Sequence, residues 1–502
     1  EMMQLKKINF PTAHTILFII AGFVAILTWL IPAGQYDRLS YDAENQHFIR
    51  TTRTNSDVLE ASQETLDILH IRIPLAKFTE GAIGKPISIP GSFKKLDTRS
   101  QGIVAFIQAP LKGIIQASDI ILLVLIIGGI IAIVNATGAF EAGIAWLAIQ
   151  LKGKEFFLIV MVTTLIALGG TTFGLEEETI AFYPILIPIF LAAKYDAIVA
   201  IASVYIGSTI GTLASTANPF STIIASDAAG INWTIGLNNR LLVLILGLCI
   251  CIIYITRYAQ RVKKDPSRSL IFEQKESIEQ LFAGKVTANA PKLTARLRLV
   301  LLLFSACFIV MVYGVSNLGW WFLEMTSVFL AGAILIGIVH RMNERDFVNQ
   351  FISGATDLLG VAFIIGIARG VTLLMEDGLI SDTLLYYASS ITEGMHKGFF
   401  INTVLYIYSG LSFFIPSSSG MAVLTMPIMS PLADSVGVGR EIIVSAYQYG
   451  MGLFRFVSPT GIILASLAIA NIGYEKWLKF VTPLVLWLCA MVMIVLTVSV
   501  YI

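Results

Sequence analysis

Long apolar runs dominate this sequence and restrict it to folds that a lipid bilayer can hold. Each run has about 20 residues, the length of an α-helix that spans the hydrocarbon core. Only 13% of the residues are charged and the net charge is +1, whereas soluble domains carry about 25% charged residues. The sequence therefore predicts an all-α polytopic membrane protein, and it offers no basic face for nucleic acid. The predicted spans are 14–33, 119–136, 197–228, 240–257, 297–316, 321–340, 358–376, 440–471 and 476–501.

Two more apolar regions, 156–193 and 398–436, are interrupted near their centres by the polar motifs GGTTFG and IPSSSG. Each region is too long for a single helical crossing, and each of its halves is short for a full one. Non-helical backbone at membrane depth is tolerated only where protein covers it or where it lines a wet cavity. We therefore expect two re-entrant helical hairpins. The spans 197–228 and 440–471 are interrupted too, at STANPF and at VSPTG.

The second half of the chain repeats the order of elements in the first half. Asp119 precedes Gly128 by nine residues, and Asp357 precedes Gly366 by nine residues. The two broken regions then follow, with GTTFG leading to PILIP and PSSSG leading to PIMSP. One additional span, 297–316, makes the number of crossings between the halves odd, so we expect the two repeats to be inverted.

The distribution of lysine and arginine predicts the orientation, because cytoplasmic loops carry an excess of both. Lys6 and Lys7 precede the first span, and the linker 258–296 is rich in basic residues. We expect both on the cytoplasmic side, so the N-terminus is cytoplasmic. The first apolar run resembles a signal anchor and is interpreted as the first helix. The polar loop 34–102 then lies outside and forms a small ordered cap.

Four interruptions at corresponding positions of an inverted repeat predict a binding site near the middle of the membrane. Half-helices expose backbone donors at their N-termini and backbone acceptors at their C-termini, which attract carboxylates and small cations respectively. Packing of membrane helices through hydroxyl and glycine residues is the alternative interpretation. The residues predicted to bind substrate are Thr171, Thr172, Glu177, Glu178, Asn218, Ser417, Ser418, Ser419, Arg455 and Thr460. Those predicted to bind a coupling ion are Gly170, Ser215, Thr216 and Asn218.

Arg455 is the most informative single residue, because an arginine inside a membrane costs ~2.5 kcal/mol or more unless it is paired or hydrated. Its guanidinium would hold a substrate carboxylate in a bidentate geometry that lysine does not match. The alternative is a structural pair with an acidic residue. Arg369 is interpreted as structural, since Glu376 and Asp377 lie about two turns further along the same predicted helix.

Three consecutive glutamates, Glu176 to Glu178, follow the first interruption and have no counterpart at the second. Successive helical residues point about 100° apart, so the three carboxylates do not all face one ligand. Their position at the start of the returning helix favours capping for at least two of them, because the helix dipole attracts carboxylates there. We expect one of the three to face the substrate.

The remaining reactive residues form no catalytic or metal-binding pattern. All four cysteines lie within apolar runs, and the five histidines are scattered along the chain. No nucleophile, base and orienting group converge, and no phosphate-binding loop is present. The sequence predicts a transporter rather than an enzyme, with no cofactor beyond a coupling ion.

The segments GTTFGLEEETIAFYPILIPI, STANPF and IPSSSGMAVLTMPIMSPLAD resemble those of the YfcC-like carriers. That group is related to the anaerobic C4-dicarboxylate (DcuC-like) carriers and to basic amino-acid antiporters within the ion-transporter superfamily. The resemblance covers nearly the whole chain and implies an elevator mechanism, in which a transport domain moves against a scaffold domain that often dimerises. The second interruption departs from the family pattern, because it reads YGMGLFR where a small polar or acidic run is expected. The guanidinium in that motif disfavours a sodium site at this interruption.

On this resemblance the chain divides into scaffold and transport segments. Scaffold segments are 1–155, 229–397 and the C-terminal helix 473–502, and transport segments are 156–228 and 398–472. The implied function is secondary active transport of a small carboxylate-bearing metabolite across the bacterial inner membrane, with Na⁺ or H⁺ as coupling ion and a homodimer formed through the scaffold. An amino acid is the favoured substrate, including a basic one in arginine/ornithine-type exchange. A C4-dicarboxylate carrier and a cation/proton antiporter without an organic substrate are the alternatives.

Overall fold

Long apolar helices form the framework of the computed structural model, which describes residues 11–282 and 291–502. Lys6, Lys7 and residues 283–290 of the predicted cytoplasmic linker lie outside the described residues. Within the described residues, eight helices are long and apolar enough to cross a membrane. They are Ala13–Leu30, Ser118–Thr137, Ala197–Ala214, Leu237–Lys264, Ala295–Gly314, Phe322–His340, Leu359–Gly378 and Tyr474–Tyr501.

Shorter helices accompany these spans, and the sequence did not indicate several of them as separate elements. In chain order, the helices of the first half are α1 (Ala13–Leu30), α2 (Gln63–Ile68), α3 (Leu75–Thr79), α4 (Ile103–Gln116), α5 (Ser118–Thr137), α6 (Ala139–Gln150), α7 (Phe156–Phe173), α8 (Tyr183–Ala192), α9 (Ala197–Ala214), α10 (Ile224–Ala228) and α11 (Leu237–Lys264). Those of the second half are α12 (Lys275–Leu281), α13 (Ala295–Asn317), α14 (Phe322–His340), α15 (Glu344–Asp357), α16 (Leu359–Gly378), α17 (Ser381–Ile391), α18 (Lys397–Phe414), α19 (Ser418–Val436), α20 (Arg440–Arg455), α21 (Ile463–Ala468) and α22 (Tyr474–Tyr501).

All four predicted interruptions coincide with helix ends. The chain leaves the helical conformation between α7 and α8, between α9 and α10, between α18 and α19, and between α20 and α21. Gly174 ends α7 with a φ of 75°, a left-handed conformation that glycine adopts without steric cost. A 3₁₀ segment, Glu177–Phe182, then leads into α8. The interruptions are confirmed, whereas the re-entrant path of the two hairpins through the bilayer stays a prediction.

Glycines of the two halves pack directly against one another. Gly128 of α5 lies against the backbone of Gly354 in α15, and Gly113 of α4 lies against Gly366 and Gly370 of α16. A side chain at Gly113, Gly128, Gly354 or Gly370 would meet backbone atoms of the facing helix, so the small residues set how closely the helices approach. The pair α4–α5 thus crosses the pair α15–α16, as corresponding elements of two repeats would. We call α1, α4–α6 and α13–α16 the flanking bundle.

The second group of helices surrounds α9, in which every residue is buried. Gly207 and Gly211 of α9 face the backbone of Thr163 and Ala167 in α7, and Gly450 of α20 faces Leu405 of α18 in the corresponding way. This second group, α7–α11 with α18–α22, is called the central bundle. Helices α11 and α22 belong to it because they pack against α9, α18 and α20. The sequence had placed both with the scaffold segments.

The predicted cap, residues 34–102, contains β-structure, so the expectation of an all-α protein is wrong for this loop. Strands β2, β3, β4 and β5 form an antiparallel sheet in the order β4-β3-β2-β5, and β1 pairs with β6. The β2–β3 register runs from Arg38 opposite Thr51 to Asp42 opposite His47. The strands are β1 (Gly34–Gln35), β2 (Arg38–Asp42), β3 (His47–Thr51), β4 (Ser56–Glu60), β5 (Ile87–Ser88) and β6 (Lys94–Lys95).

Alternation along β2 and β3 gives the cap a small apolar core of its own. Leu39 and Phe48 point inward from neighbouring strands, and both are fully buried. Phe78 of α3 covers them, with its ring centroid 5.1 Å from that of Phe48. Asp42 closes the β2–β3 turn by accepting hydrogen bonds from the amides of Glu44 (3.0 Å) and Asn45 (3.3 Å). Because only one face of each strand is apolar, no long apolar run marks this region in the sequence.

We expect the replacement Gly128→Ala to destabilise the protein, because the new methyl group would meet the carbonyl of Gly354 across the α5–α15 contact. Overpacking of this kind costs ~1–3 kcal/mol. Gly360→Ala in α16 is the matched control, since no atom lies within 4 Å of its added Cβ. Thermal unfolding in detergent should show a lower midpoint for the first variant and an unchanged or higher one for the second. Equal midpoints would contradict the close crossing.

Candidate functional site

A cavity of about 410 Å³ lies between the central and flanking bundles. All four helix interruptions contribute to its wall. Its volume falls in the range of pockets that hold small metabolites. The wall formed by the central bundle includes Gly174, Glu176, Glu177, Glu178, Tyr205, Asn218, Phe220, Ser412, Ser417, Ser418, Ser419, Arg455, Ser458 and Thr460. The wall formed by the flanking bundle includes Gln116, Asp119, Trp321, Phe322, Ile365, Arg369 and Thr372.

The three glutamates have three different environments. Glu176 forms an ion pair with Arg455, with 3.1 Å between Oε2 and Nη1. Glu178 turns back on the chain, where its Oε2 accepts a hydrogen bond of 3.1 Å from the amide of Glu176. Glu177 is exposed to the cavity and makes no hydrogen bond or ion pair with the residues that the structure describes. Glu177 is therefore the carboxylate available to a ligand, whereas Glu178 caps the turn.

Arg455 lines the cavity and also forms the ion pair with Glu176. The geometry therefore supports both interpretations of Arg455, as a ligand for a substrate carboxylate and as a structural partner of an acidic residue. Arg455 is the last residue of α20, and its side chain is 16% exposed. Its carbonyl accepts a hydrogen bond of 2.6 Å from the hydroxyl of Tyr205. The next turn brings Ser458 and Thr460 together, with 3.2 Å between their hydroxyl oxygens. Both residues line the cavity, and the predicted substrate contact of Thr460 stays a prediction.

The second hairpin tip also faces the cavity. Ser417 caps α19, because its hydroxyl accepts the amide of Gly420 at 3.2 Å. The carbonyl of Ser418 accepts a hydrogen bond of 2.7 Å from Tyr447. Ser419 accepts a hydrogen bond of 2.6 Å from Lys85 of the cap. All three serines line the cavity, and each of them already uses one polar group in a hydrogen bond at the tip.

The threonines of the first tip do not reach the cavity wall. Thr171 is buried, its hydroxyl accepts the amide of Thr216 at 2.9 Å, and its carbonyl accepts the amide of Ala217 at 3.1 Å. Thr172 donates to the carbonyl of Leu168 at 2.6 Å within its own helix. Neither residue is part of the cavity wall. Thr171 thus holds the tip to the neighbouring interruption, and Thr172 bonds within its own helix. This geometry does not support the predicted substrate contact of either residue.

The predicted ion-coupling residues are buried together behind the cavity. Gly170 packs against the backbone of Ser208 in α9. The hydroxyl groups of Ser215 and Ser221 lie 2.6 Å apart, and Thr216 is bonded to the first tip as described above. Asn218 is the member of this set that reaches the cavity, and its side chain accepts the amide of Phe220 at 2.9 Å.

A buried amide oxygen adds to this polar group. Gln448 of α20 donates from its side-chain nitrogen to the hydroxyl of Thr222, and that hydroxyl donates to the carbonyl of Ser215. The Oε1 of Gln448 is buried and lacks a hydrogen-bond partner among the described residues. Those residues include no cluster of three or more histidine, cysteine or acidic side chains that would hold a metal.

The flanking bundle supplies residues that the sequence did not assign to the site. Arg369 donates from Nε to Oε1 of Gln116 at 2.8 Å, so its expected pairing with Glu376 or Asp377 is replaced by a contact between α16 and α4. Trp321 approaches Phe220 of the central bundle, with 5.7 Å between ring centroids. Arg369, Gln116 and Trp321 reach the site because helices that are distant in the sequence cross there. No local sequence motif identifies these residues.

The charges on the cavity wall are unequal. Four acidic side chains, Glu176, Glu177, Glu178 and Asp119, face two basic ones, Arg369 and Arg455. The wall therefore combines one guanidinium–carboxylate pair with an excess of acidic over basic side chains.

Comparison with known proteins places the whole chain in one family. The sequence model of the DcuC family, described as the C4-dicarboxylate anaerobic carrier, matches residues 10–501. An uncharacterized protein of Haemophilus influenzae is 43% identical over 500 residues, which cover 99% of this chain and 98% of that protein. The putative basic amino acid antiporter YfcC of Escherichia coli is 29% identical over 95% of this chain and 94% of its own length.

Two solved transporters share a distant similarity with the structure. The YdaH transporter of Alcanivorax borkumensis has a TM-score of 0.39 at 12% identity, over 97% of this chain and 98% of that one. MtrF of Neisseria gonorrhoeae has a TM-score of 0.38 at 15% identity, over 98% and 96%. Neither similarity is close enough to carry a structural argument. The family match is sufficient by itself and confirms the resemblance in the sequence motifs: the chain belongs to the DcuC family of C4-dicarboxylate anaerobic carriers and is a membrane transporter.

Proposed function

We propose that this transporter carries an amino acid, with a basic amino acid in arginine/ornithine-type exchange as the favoured substrate. The observation that carries the proposal is the Arg455–Glu176 pair beside the unpaired Glu177. Arg455 would hold the α-carboxylate, Glu176 the α-ammonium group, and Glu177 the cationic end of the side chain. Each charged group of the ligand then meets an opposite charge, which is required of ions taken out of water.

The excess of acidic side chains on the cavity wall supports a cationic or zwitterionic substrate. A C4-dicarboxylate brings two further carboxylates next to these acidic groups, and charges of the same sign repel each other. One observation favours the dicarboxylate alternative, namely the presence of two guanidinium groups, Arg369 and Arg455, in the same cavity. The description of the family also names C4-dicarboxylates.

Binding to the purified protein separates these substrates. We expect radiolabelled arginine and ornithine to bind and succinate to compete poorly. Binding of succinate alone would replace the proposal with the dicarboxylate alternative. Exchange of sodium for protons in reconstituted vesicles without any organic solute would instead support a cation/proton antiporter, with Glu177 as the exchanging carboxylate.

The proposed mechanism is an elevator in the bacterial inner membrane, with the N-terminus in the cytoplasm. We assign the central bundle to the moving transport domain and the flanking bundle to the scaffold, through which a homodimer would form. This assignment moves α11 and α22 into the transport domain because of their packing against α9, α18 and α20. A cavity whose wall is divided between the two bundles suits a substrate that is carried by one of them past the other.

Coupling to an ion is proposed at the buried polar group of Ser215, Thr216, Asn218 and Gly170. Carbonyl oxygens at the ends of half-helices, together with hydroxyl and amide oxygens, coordinate Na⁺ in transporters with interrupted helices. The unpartnered Oε1 of Gln448 adds an oxygen at the same place. Sodium coupling requires arginine uptake to slow when choline replaces Na⁺ at constant pH, and unchanged uptake would assign the coupling to protons.

Glu177→Gln should weaken arginine binding by about 10- to 100-fold, because a hydrogen bond to a charged group contributes ~1.5–3 kcal/mol. Glu178→Gln is the matched comparison, since the carboxylate of Glu178 accepts a backbone amide and does not depend on a ligand. Glu178→Gln should reduce the thermal stability of the protein more than it reduces the affinity for arginine. Equilibrium binding and thermal unfolding of both variants measure the difference. Equal affinities for Glu177→Gln and the wild type would remove Glu177 from the site.

Arg455→Gln should abolish arginine binding and also destabilise the protein, because it leaves the carboxylate of Glu176 without its partner. The double variant Arg455→Gln with Glu176→Gln separates these two effects. Neutral groups on both sides should restore most of the thermal midpoint without restoring transport. Recovery of arginine exchange together with stability would show that the pair is structural and that another group binds the carboxylate.

A further inference from the structure

The base of the cap is fixed to the flanking bundle. The amide of Gly34 donates to the carbonyl of Leu379, directly after α16, at 3.0 Å. Arg38 of β2 pairs with Asp382 at 2.6 Å. The hydroxyl of Thr383 donates at 2.8 Å to the carbonyl of Pro32, which follows α1. Asp382 and Thr383 lie in α17, which also packs against α18 and α19. The contacts to the flanking bundle itself are therefore the bond after α16 and that of Trp29 in α1, whose indole donates to the carbonyl of Gln101 at 3.0 Å.

The opposite side of the cap is bonded to the central bundle, through a row of basic side chains. Lys77 pairs with Asp227 of α10, with 2.6 Å between Nζ and Oδ1. Arg72 pairs with Asp434 of α19 at 3.1 Å, and Arg440 of α20 pairs with the same Asp434 at 2.7 Å. Lys85 extends the row to the second hairpin tip, which it reaches through the hydroxyl of Ser419 at the cavity wall.

Apolar side chains of the central bundle complete the core of the cap. Val423 of α19 is 3% exposed and belongs to the same apolar cluster as Leu39, Phe48 and Phe78. Leu424 and Ile224 pack against that cluster from the same side. The contact thus excludes water as well as pairing charges. It resembles the interior of a small domain more than a loop resting on a surface.

We propose that the cap is a latch that holds the central bundle against the flanking bundle and must separate from the central bundle in each transport cycle. This inference rests on the elevator motion in the proposed function. A rigid element bonded to two bodies cannot keep both sets of contacts when one body slides past the other. The contacts to the central bundle are the ones released, because side chains make them. The cap is continuous in the chain with α1 and α4 of the flanking bundle, and the amide of Gly34 is also bonded to the backbone after α16. Release also frees Ser419, so it opens the cavity wall at the second tip.

Labelling of a buried thiol tests the latch without any substrate. In a background with Cys249, Cys251, Cys307 and Cys489 replaced by serine, Val423→Cys places a thiol that a membrane-impermeant maleimide reaches only when the cap separates. We expect Lys77→Gln to accelerate labelling about fivefold, which corresponds to ~1 kcal/mol. Lys94→Gln is the matched control, since Lys94 is an exposed cap lysine that forms no ion pair within the described residues. Equal labelling rates for the two variants would overturn the latch.

Cross-linking tests the same proposal during transport. In the same background, Lys77→Cys with Asp227→Cys joins the cap to the central bundle through a cleavable bifunctional thiol reagent. Arginine exchange in proteoliposomes should fall at least tenfold and recover when the cross-link is cleaved. Trp29→Cys with Gln101→Cys joins the cap to α1 of the flanking bundle and should leave exchange within twofold. Unchanged exchange in the first cross-linked pair would overturn the latch. Absence of arginine exchange in the uncross-linked wild type would instead refute the proposed substrate, and the labelling rates would still decide the latch.

Discussion

Backbone groups released at the helix interruptions need partners inside the protein, and the arrangement of the central bundle follows from that requirement. The first tip and the first interruption satisfy each other, because Thr171 accepts the amide of Thr216 and, through its carbonyl, that of Ala217. At the second interruption, Tyr205 donates to the carbonyl of Arg455. At the second tip, Tyr447 of α20 donates to the carbonyl of Ser418. Each tip is therefore tied to another element by the protein itself, which gives the cavity a preformed wall.

Close helix packing makes these short polar contacts possible. Lipid offers no hydrophobic drive for helices to associate, so small residues that permit backbone contact determine the geometry. Gly207 and Gly211 bring α9 against α7, and Gly450 brings α20 against α18. In the flanking bundle, Gly128 and Gly354 do the same for α5 and α15. Two bundles, each held internally by such crossings, enclose the cavity between them.

The sequence predicted features that depend on local composition and missed those that depend on distant contacts. The membrane spans and their interruptions could be predicted from the lengths of the apolar runs, and the repeat could be predicted from the spacing of glycines. By contrast, Thr171 looks the same in sequence whether its hydroxyl points to the cavity or to Thr216. The direction of each glutamate was also hidden, since the chain there forms a 3₁₀ segment, in which successive residues turn by about 120° rather than 100°. Strands in the cap carry too few apolar residues to be recognised by their pattern.

The pairing of Arg455 with Glu176 restricts which ligands the cavity can accept. A carboxylate that takes the guanidinium from Glu176 leaves that glutamate unpaired in a confined site, which is costly unless the ligand also supplies a cation. Under the proposed function, an amino acid carries both charges on groups attached to one carbon and replaces the internal pair with two pairs to itself. A dicarboxylate has Arg455 and Arg369 as partners but leaves Glu176 and Glu177 without a positive charge, so it would bind only if protons or cations entered with it. The proposed preference for an amino acid therefore depends on whether the ligand completes the exchange of partners unaided.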